Sequence, residues 1–233
     1  MKSIFIALLA LSGIAMAADY TWVGPENGEW NVSSNWDLNN PYYPQSWYDN
    51  AIIGDNKSVV WSGGSYYGNC QAITLGQNST LNLTAGGDIN IGKFTIGGGS
   101  QVNWANGYDL GYKCAFSVDY GTFSADSYGS FNVTTGRTLW YNGHTVTLLG
   151  TLDFAGVAPG EGTIGLYTLS GGANGQSIDY SGLQVINANE QVTYEIKQEN
   201  NGVYISYKVV PEPTTATLSL LALAGLAARR RRK

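Results

Sequence analysis

Four aspartates, Asp109, Asp119, Asp126 and Asp153, are spread through the middle of the chain. Two such carboxylates about 5–9 Å apart on one face would suit a glycosidase or a polysaccharide lyase. Each stands alone here, with no long loop to wall a groove, so the expectation is four solvated turn residues and no enzyme. The sole histidine, His144, sits in "YNGHTVTL" beside Gly143. Neither a Ser-His-Asp arrangement nor a metal-ligand spacing surrounds it. Asp49, Asn50 and Asp55 do not follow a calcium-loop pattern, so no catalytic residue, metal ligand or cofactor is assigned.

Aromatic side chains offer more. Trp30, Trp36, Tyr42, Tyr43, Trp47 and Tyr48 crowd into one short stretch. Exposed, they would stack on sugar rings of an extracellular polysaccharide, with nearby Asn and Asp to bond hydroxyls. Buried, they would plug the end of a β core, and Pro41 and Pro44 fit a loop that wraps such a plug. The plug is the preferred expectation.

These residues must be positioned by strands. The chain has 31 Gly, 16 Tyr and 7 Trp with only 12% charged residues, a balance that favours an all-β body with many tight turns. Between Ala72 and Phe154 fragments recur at a pulse near 21 residues: "AITLG" from Ala72 and "KFTIG" from Lys93; "STLNLT" from Ser79, "SQVNWA" from Ser100 and "GTFSAD" from Gly121; "SFNVT" from Ser130 and "TLDFA" from Thr151. "AFSV" from Ala115 follows "KFTI" with a slip of one residue. Such a period predicts a parallel β-solenoid of about 21 residues per coil, and a β-sandwich is the alternative. Alternation places Leu81, Leu83, Val102, Trp104, Phe131, Val133, Leu152 and Phe154 inward, and Asn82, Asn103, Asn132 and Asp153 outward or at turns.

The expected organisation is a cap region over 18–66, coils over 67–190 and a closing hairpin over 191–208, whose turn in "ENNG" uses Asn201 and Gly202 at positive φ. Cys70 and Cys114 would lie two coils apart, about 9.6 Å, beyond the roughly 7 Å a bridge allows, which predicts free thiols.

The two ends are helical in expectation. Residues 1–17 read as a signal peptide: Lys2, an apolar run from Ile4 to Ile14, and small residues Ala15 and Ala17 at the cleavage position. At the other end, Pro211-Glu212-Pro213 precedes an uncharged run over 214–228 and the basic cluster Arg229, Arg230, Arg231, Arg232 and Lys233. As a helix the run would span about 22 Å, a marginal membrane segment, with the cluster held on the cytoplasmic side. Setting both ends aside leaves 6 basic and 16 acidic residues, a net charge near −10, which argues against nucleic acid as a partner.

Two resemblances follow from these residues. Trp22, Gly24, Gly28, Trp30, Asn35 and Trp36 are spaced as in the opening segment of secreted bacterial proteins with autotransporter-associated β-strand repeats; that resemblance implies a right-handed β-helix. The tail resembles the PEP-CTERM sorting signal of Gram-negative bacteria, which implies that exosortase, a membrane-embedded cysteine peptidase, recognises Pro211, Glu212 and Pro213 and passes the protein outward. The expectation is an exported, non-enzymatic surface or matrix protein with structural or adhesive use, transiently held at the inner membrane. A polysaccharide-binding module is the alternative, and a polysaccharide-cleaving enzyme a third reading.

Overall fold

The computed structural model describes residues 18–37, 42–62, 67–84, 88–105, 116–133, 145–169, 177–199, 201–211 and 222–224. The described residues are nearly all β. In chain order the strands are β1 (Asp19–Thr21), β2 (Gly28–Glu29), β3 (Asn50–Ile53), β4 (Ser58–Trp61), β5 (Tyr67–Leu75), β6 (Thr80–Leu83), β7 (Asp88–Ile96) and β8 (Gln101–Trp104). They continue with β9 (Phe116–Ser124), β10 (Ser130–Val133), β11 (Thr145–Asp153), β12 (Gly160–Leu169), β13 (Ser177–Ile186), β14 (Val192–Glu199) and β15 (Gly202–Val209).

Successive strands up to β13 go to alternate sheets. Odd-numbered strands build a seven-stranded sheet in the order β1-β3-β5-β7-β9-β11-β13, and the other sheet runs β14-β15-β12-β10-β8-β6-β4-β2. Among the described strands pairing is parallel from β1 to β13, and β12–β15 and β15–β14 are antiparallel. Ladders of this kind follow from the sequence because each short strand offers alternating apolar residues to the interior and its backbone to the strand on either side. The paired ladder already begins at Asp19 and Gly28, inside the stretch 18–66 assigned above to a cap.

Short corners connect the sheets. Asn27, Asn56 and Asn78 take up φ of 54–56°, and Gly99 occupies the equivalent corner at φ 72°. Asn and Gly are the residues for which left-handed backbone costs least, so these corners are written into the chain. Serines lock them. Ser79 and Ser100 are fully buried, and Ser100 Oγ accepts the Ser79 N–H at 2.8 Å while donating to Gly76 O. Ser79 Oγ accepts the Lys57 N–H at 3.0 Å and donates to Gly54 O at 2.6 Å.

All eight residues expected inward are buried. The interior is one apolar cluster, with Phe94, Phe116, Phe131 and Tyr167 in contact across it. Tyr120 spans the core to donate to Leu166 O at 2.5 Å. Burial drives its phenol pKa well above the ordinary value, with Tyr167 adding to the effect.

The expected register of about 21 residues, with its slip of one, is met only in part. It holds for Thr80–Gln101 and Ala72–Lys93, but Lys93 pairs with Ser117, so "AFSV" is displaced two residues from its expected partner. "SQVNWA" pairs with "SFNVT", since Asn103 stands beside Asn132, and "GTFSAD" pairs with "TLDFA" through Thr122 and Thr151 in the other sheet. Spacing along the line Asn82, Asn103, Asn132, Thr168 grows from 21 to 29 to 36 residues. The sequence separation between neighbouring strands of this sheet therefore lengthens toward the C-terminus, against the expectation of no insertion. Alternating fragments look alike in both sheets, and so the pattern alone could not assign them.

The closing hairpin is present, with β14 and β15 in register from Val192–Val209 to Glu199–Gly202. At its turn Gly202 has φ 140°, and a Cβ there would fall 2.0 Å from Tyr167 O, so only glycine fits. Residues 1–17, expected to be a signal peptide ending at Ala15 and Ala17, lie outside the described residues, as do Glu212, Pro213 and most of 214–233. Among the described residues no helix is long and apolar enough to cross a membrane; 222–224 form one helical turn.

Candidate functional site

At the N-terminal end of the ladder the tryptophans form a closed set. Trp30 stacks on Trp61 at 4.3 Å between ring centroids with planes 4° apart, and it meets Trp36 edge-on at 4.7 Å. Trp30 Nε1 donates to Pro44 O and Trp36 Nε1 to Trp30 O. Gly24 and Gly28 are glycine because a Cβ at either would lie 2.7 and 2.9 Å from Trp22 Cζ2. Trp30 and Trp36 are thus interior, and neither ring presents a face to solvent. Tyr43 packs against the core edge, whereas Tyr42, Trp47 and Tyr48 are 56%, 45% and 56% exposed. The stretch divides into a buried plug and an open aromatic loop.

The carboxylates are dispersed. Asp119, on β9, accepts Lys93 Nζ at 2.8 Å and the Gly121 N–H at 3.0 Å. Partial burial pushes its carboxyl up, but these two donors outweigh it and hold the pKa below the ordinary value. Asp153, on β11, accepts Asn187 Nδ2 at 2.7 Å and the Ala155 N–H, which likewise lower its pKa. Asp109 and His144 lie outside the described residues. Among the described residues no cluster of three or more His, Cys, Asp or Glu could hold a metal ion.

Cys70 is fully buried and its thiol faces Asp49 O and Ala72 O at 3.1 and 3.2 Å. Burial, with the charge of Asp49 adding, pushes its pKa up to about 12. Cys70 is a free thiol, and Cys114 lies outside the described residues.

Asp126 is placed differently. The corner at 125–129 is closed by mutual backbone bonds between Ser124 and Ser127, and Tyr128 O accepts the Gly99 N–H at 3.1 Å. It overhangs the outer face of β8, β10 and β12 and so walls a groove of about 460 Å³. Asp126, Ser127 and Tyr128 line one side; Gln101, Asn132, Thr168 and the bare backbone of Gly165 form the floor.

A ladder of side chains fixes that floor. Asn103 Nδ2 donates to Asn82 Oδ1 at 3.0 Å, Asn132 Nδ2 to Asn103 Oδ1 at 3.1 Å, and Thr168 Oγ1 to Asn132 Oδ1 at 2.8 Å. Asn132 Nδ2 also reaches Ser130 Oγ at 3.2 Å, so its amide is held in one orientation. Gln101 and Asp126 are exposed at the groove. No cation is among its described lining residues. Of these residues the sequence pattern singles out Asp126 and the asparagines Asn82, Asn103 and Asn132. The usable signal was the shared x-apolar-Asn-apolar pattern of Thr80–Leu83, Gln101–Trp104 and the Ser130 strand, which places an insertion just before the corner.

At the C-terminal end, β15 runs between β12 and β14, and the Val210 N–H still bonds Gln191 O. Pro211 is exposed directly beyond it. The family model described as the PEP-CTERM protein-sorting motif matches residues 209–233. That motif implies an exported protein, sorted through its C-terminal segment to the cell surface by interaction with exosortase, a membrane protein. No curated protein and no solved structure matches the chain.

Proposed function

We propose that the body is a short β-solenoid displayed on the outer surface or in the extracellular matrix, where it serves as a non-enzymatic structural or adhesive element. Starting from the sorting motif at 209–233, the single observation that carries this reading is the alternation of strands between two parallel ladders. A chain that visits the two sheets in turn, with tight Asn and Gly corners, advances one strand spacing of about 4.8 Å per coil. The likeness of the Trp22 to Trp36 segment to autotransporter-associated repeat proteins supports the same architecture.

The non-enzymatic role is supported by the state of the acids. Asp119 and Asp153 are engaged by Lys93 and Asn187, and Asp126 stands on a corner beside the opposite sheet. In this reading the tail is a marginal membrane segment over 214–228 that exosortase removes at Pro211, Glu212 and Pro213, with Arg229 to Lys233 retained inside. Fractionation tests it: deletion of 211–213 is expected to keep the protein with the inner membrane, whereas unchanged delivery to the surface would refute the role of the tripeptide.

A further inference from the structure

We infer that the groove beneath the 125–129 corner binds a neutral, hydroxyl-rich polysaccharide, an assignment that rests on the surface display proposed above and gives it a ligand. Four observations converge. Volume is the first: about 460 Å³ is within the usual range of roughly 300–1,000 Å³ for ligand sites. Lining chemistry is the second. Tyr128 offers a ring for the apolar face of a sugar, Asp126 accepts from hydroxyls, and the Gln101 amide both donates and accepts.

Preorganisation is the third. The Asn82–Asn103–Asn132–Thr168 ladder holds the floor in one geometry before any ligand arrives, which reduces the ordering cost of binding. Gly165 keeps that floor open, because a Cβ there would crowd Thr168 Cγ2 at 3.2 Å. Charge is the fourth and selects the class. With Asp126 as the ionisable wall, no cation among the described lining residues and a body near −10, uronate-rich or sulfated polymers are repelled, and neutral glycans are not.

The test uses the exported protein recovered from the cell surface, run in native gels containing dextran, galactomannan or polygalacturonate. Retardation by dextran or galactomannan and none by polygalacturonate is expected, reduced at least about fivefold in apparent affinity by Tyr128→Ala and measurably by the exposed Gln101→Ala. Trp47→Ala, in the open aromatic loop, is expected to bind normally. The inference is overturned if neither neutral polymer retards the protein, if polygalacturonate retards it equally, or if Trp47→Ala abolishes binding while Tyr128→Ala and Gln101→Ala retain it. Recovery of all three variants from the surface separates the readings: surface protein that ignores glycans sinks the groove alone, and protein missing from the surface sinks the display.

Discussion

Trp30 has no solvent exposure and contributes both a stacked ring pair and an indole N–H bond to Pro44 O, so its removal leaves a cavity and two unmet partners. Trp30→Ala is expected to destabilise the body by about 3–5 kcal/mol in urea unfolding, and Trp47→Ala, nearly half exposed, by less than about 1 kcal/mol. Equal effects would contradict the division of the aromatic stretch into plug and loop. The pH behaviour of Asp119 can be argued with its sign. Its folded pKa is depressed, so the stability it adds is present above the unfolded value of about 3.9 and is lost as pH falls below it. Since the pair with Lys93 is substantially exposed, the wild type is expected to exceed Asp119→Asn by under about 1 kcal/mol at pH 7, with the difference closing as pH falls through the depressed folded pKa in urea titrations. Cys70 combines full burial with a thiol pKa of about 12. In a Cys114→Ser background, iodoacetamide at pH 8 is expected to leave it unmodified in the native protein and to label it in denaturant, as read by peptide mass.

Corners and ladders carry the fold at the scale of elements. Ser79 satisfies the Lys57 N–H and Gly54 O inside the stack, and Ser79→Ala strands both. A loss of about 1–3 kcal/mol is expected, against a few tenths for alanine at exposed Gln101; a negligible loss at Ser79 would mean the corners are not held by their serines. Alternation was readable from the chain because Leu81, Val102 and Phe131 each flank an asparagine, and inward apolar positions need no knowledge of neighbours. Which strand lies beside which was not. Between Gln101 and its partner Ser130 the chain spends a whole strand, β9, and an insertion, and nothing in the pattern of "GTFSAD" distinguishes one sheet from the other. The groove was hidden for the same reason, since it is formed by a corner that follows that insertion. The sorting motif at 209–233, by contrast, was legible, because its signal is the linear order of Pro211-Glu212-Pro213, an uncharged run and a basic end.

The whole molecule is asymmetric end to end. One end is closed by the tryptophan plug; the other carries an antiparallel hairpin whose outer strand, β14, bears Glu195, Lys197 and Glu199, charges that discourage pairing with another sheet edge. Lys197, bonded to Glu199 at 3.0 Å, has its pKa raised by that contact. The sorting motif starts where β15 ends, with no linker between the last paired residues and Pro211. Loss of the tail after Val210 removes none of the described strands and leaves the hairpin intact. The most direct measurement is the intact mass of the protein recovered from the outer surface and culture medium. The account predicts a chain that ends within or beside Pro211–Pro213 and lacks Arg229 to Lys233; a surface protein that retains the basic cluster would contradict it.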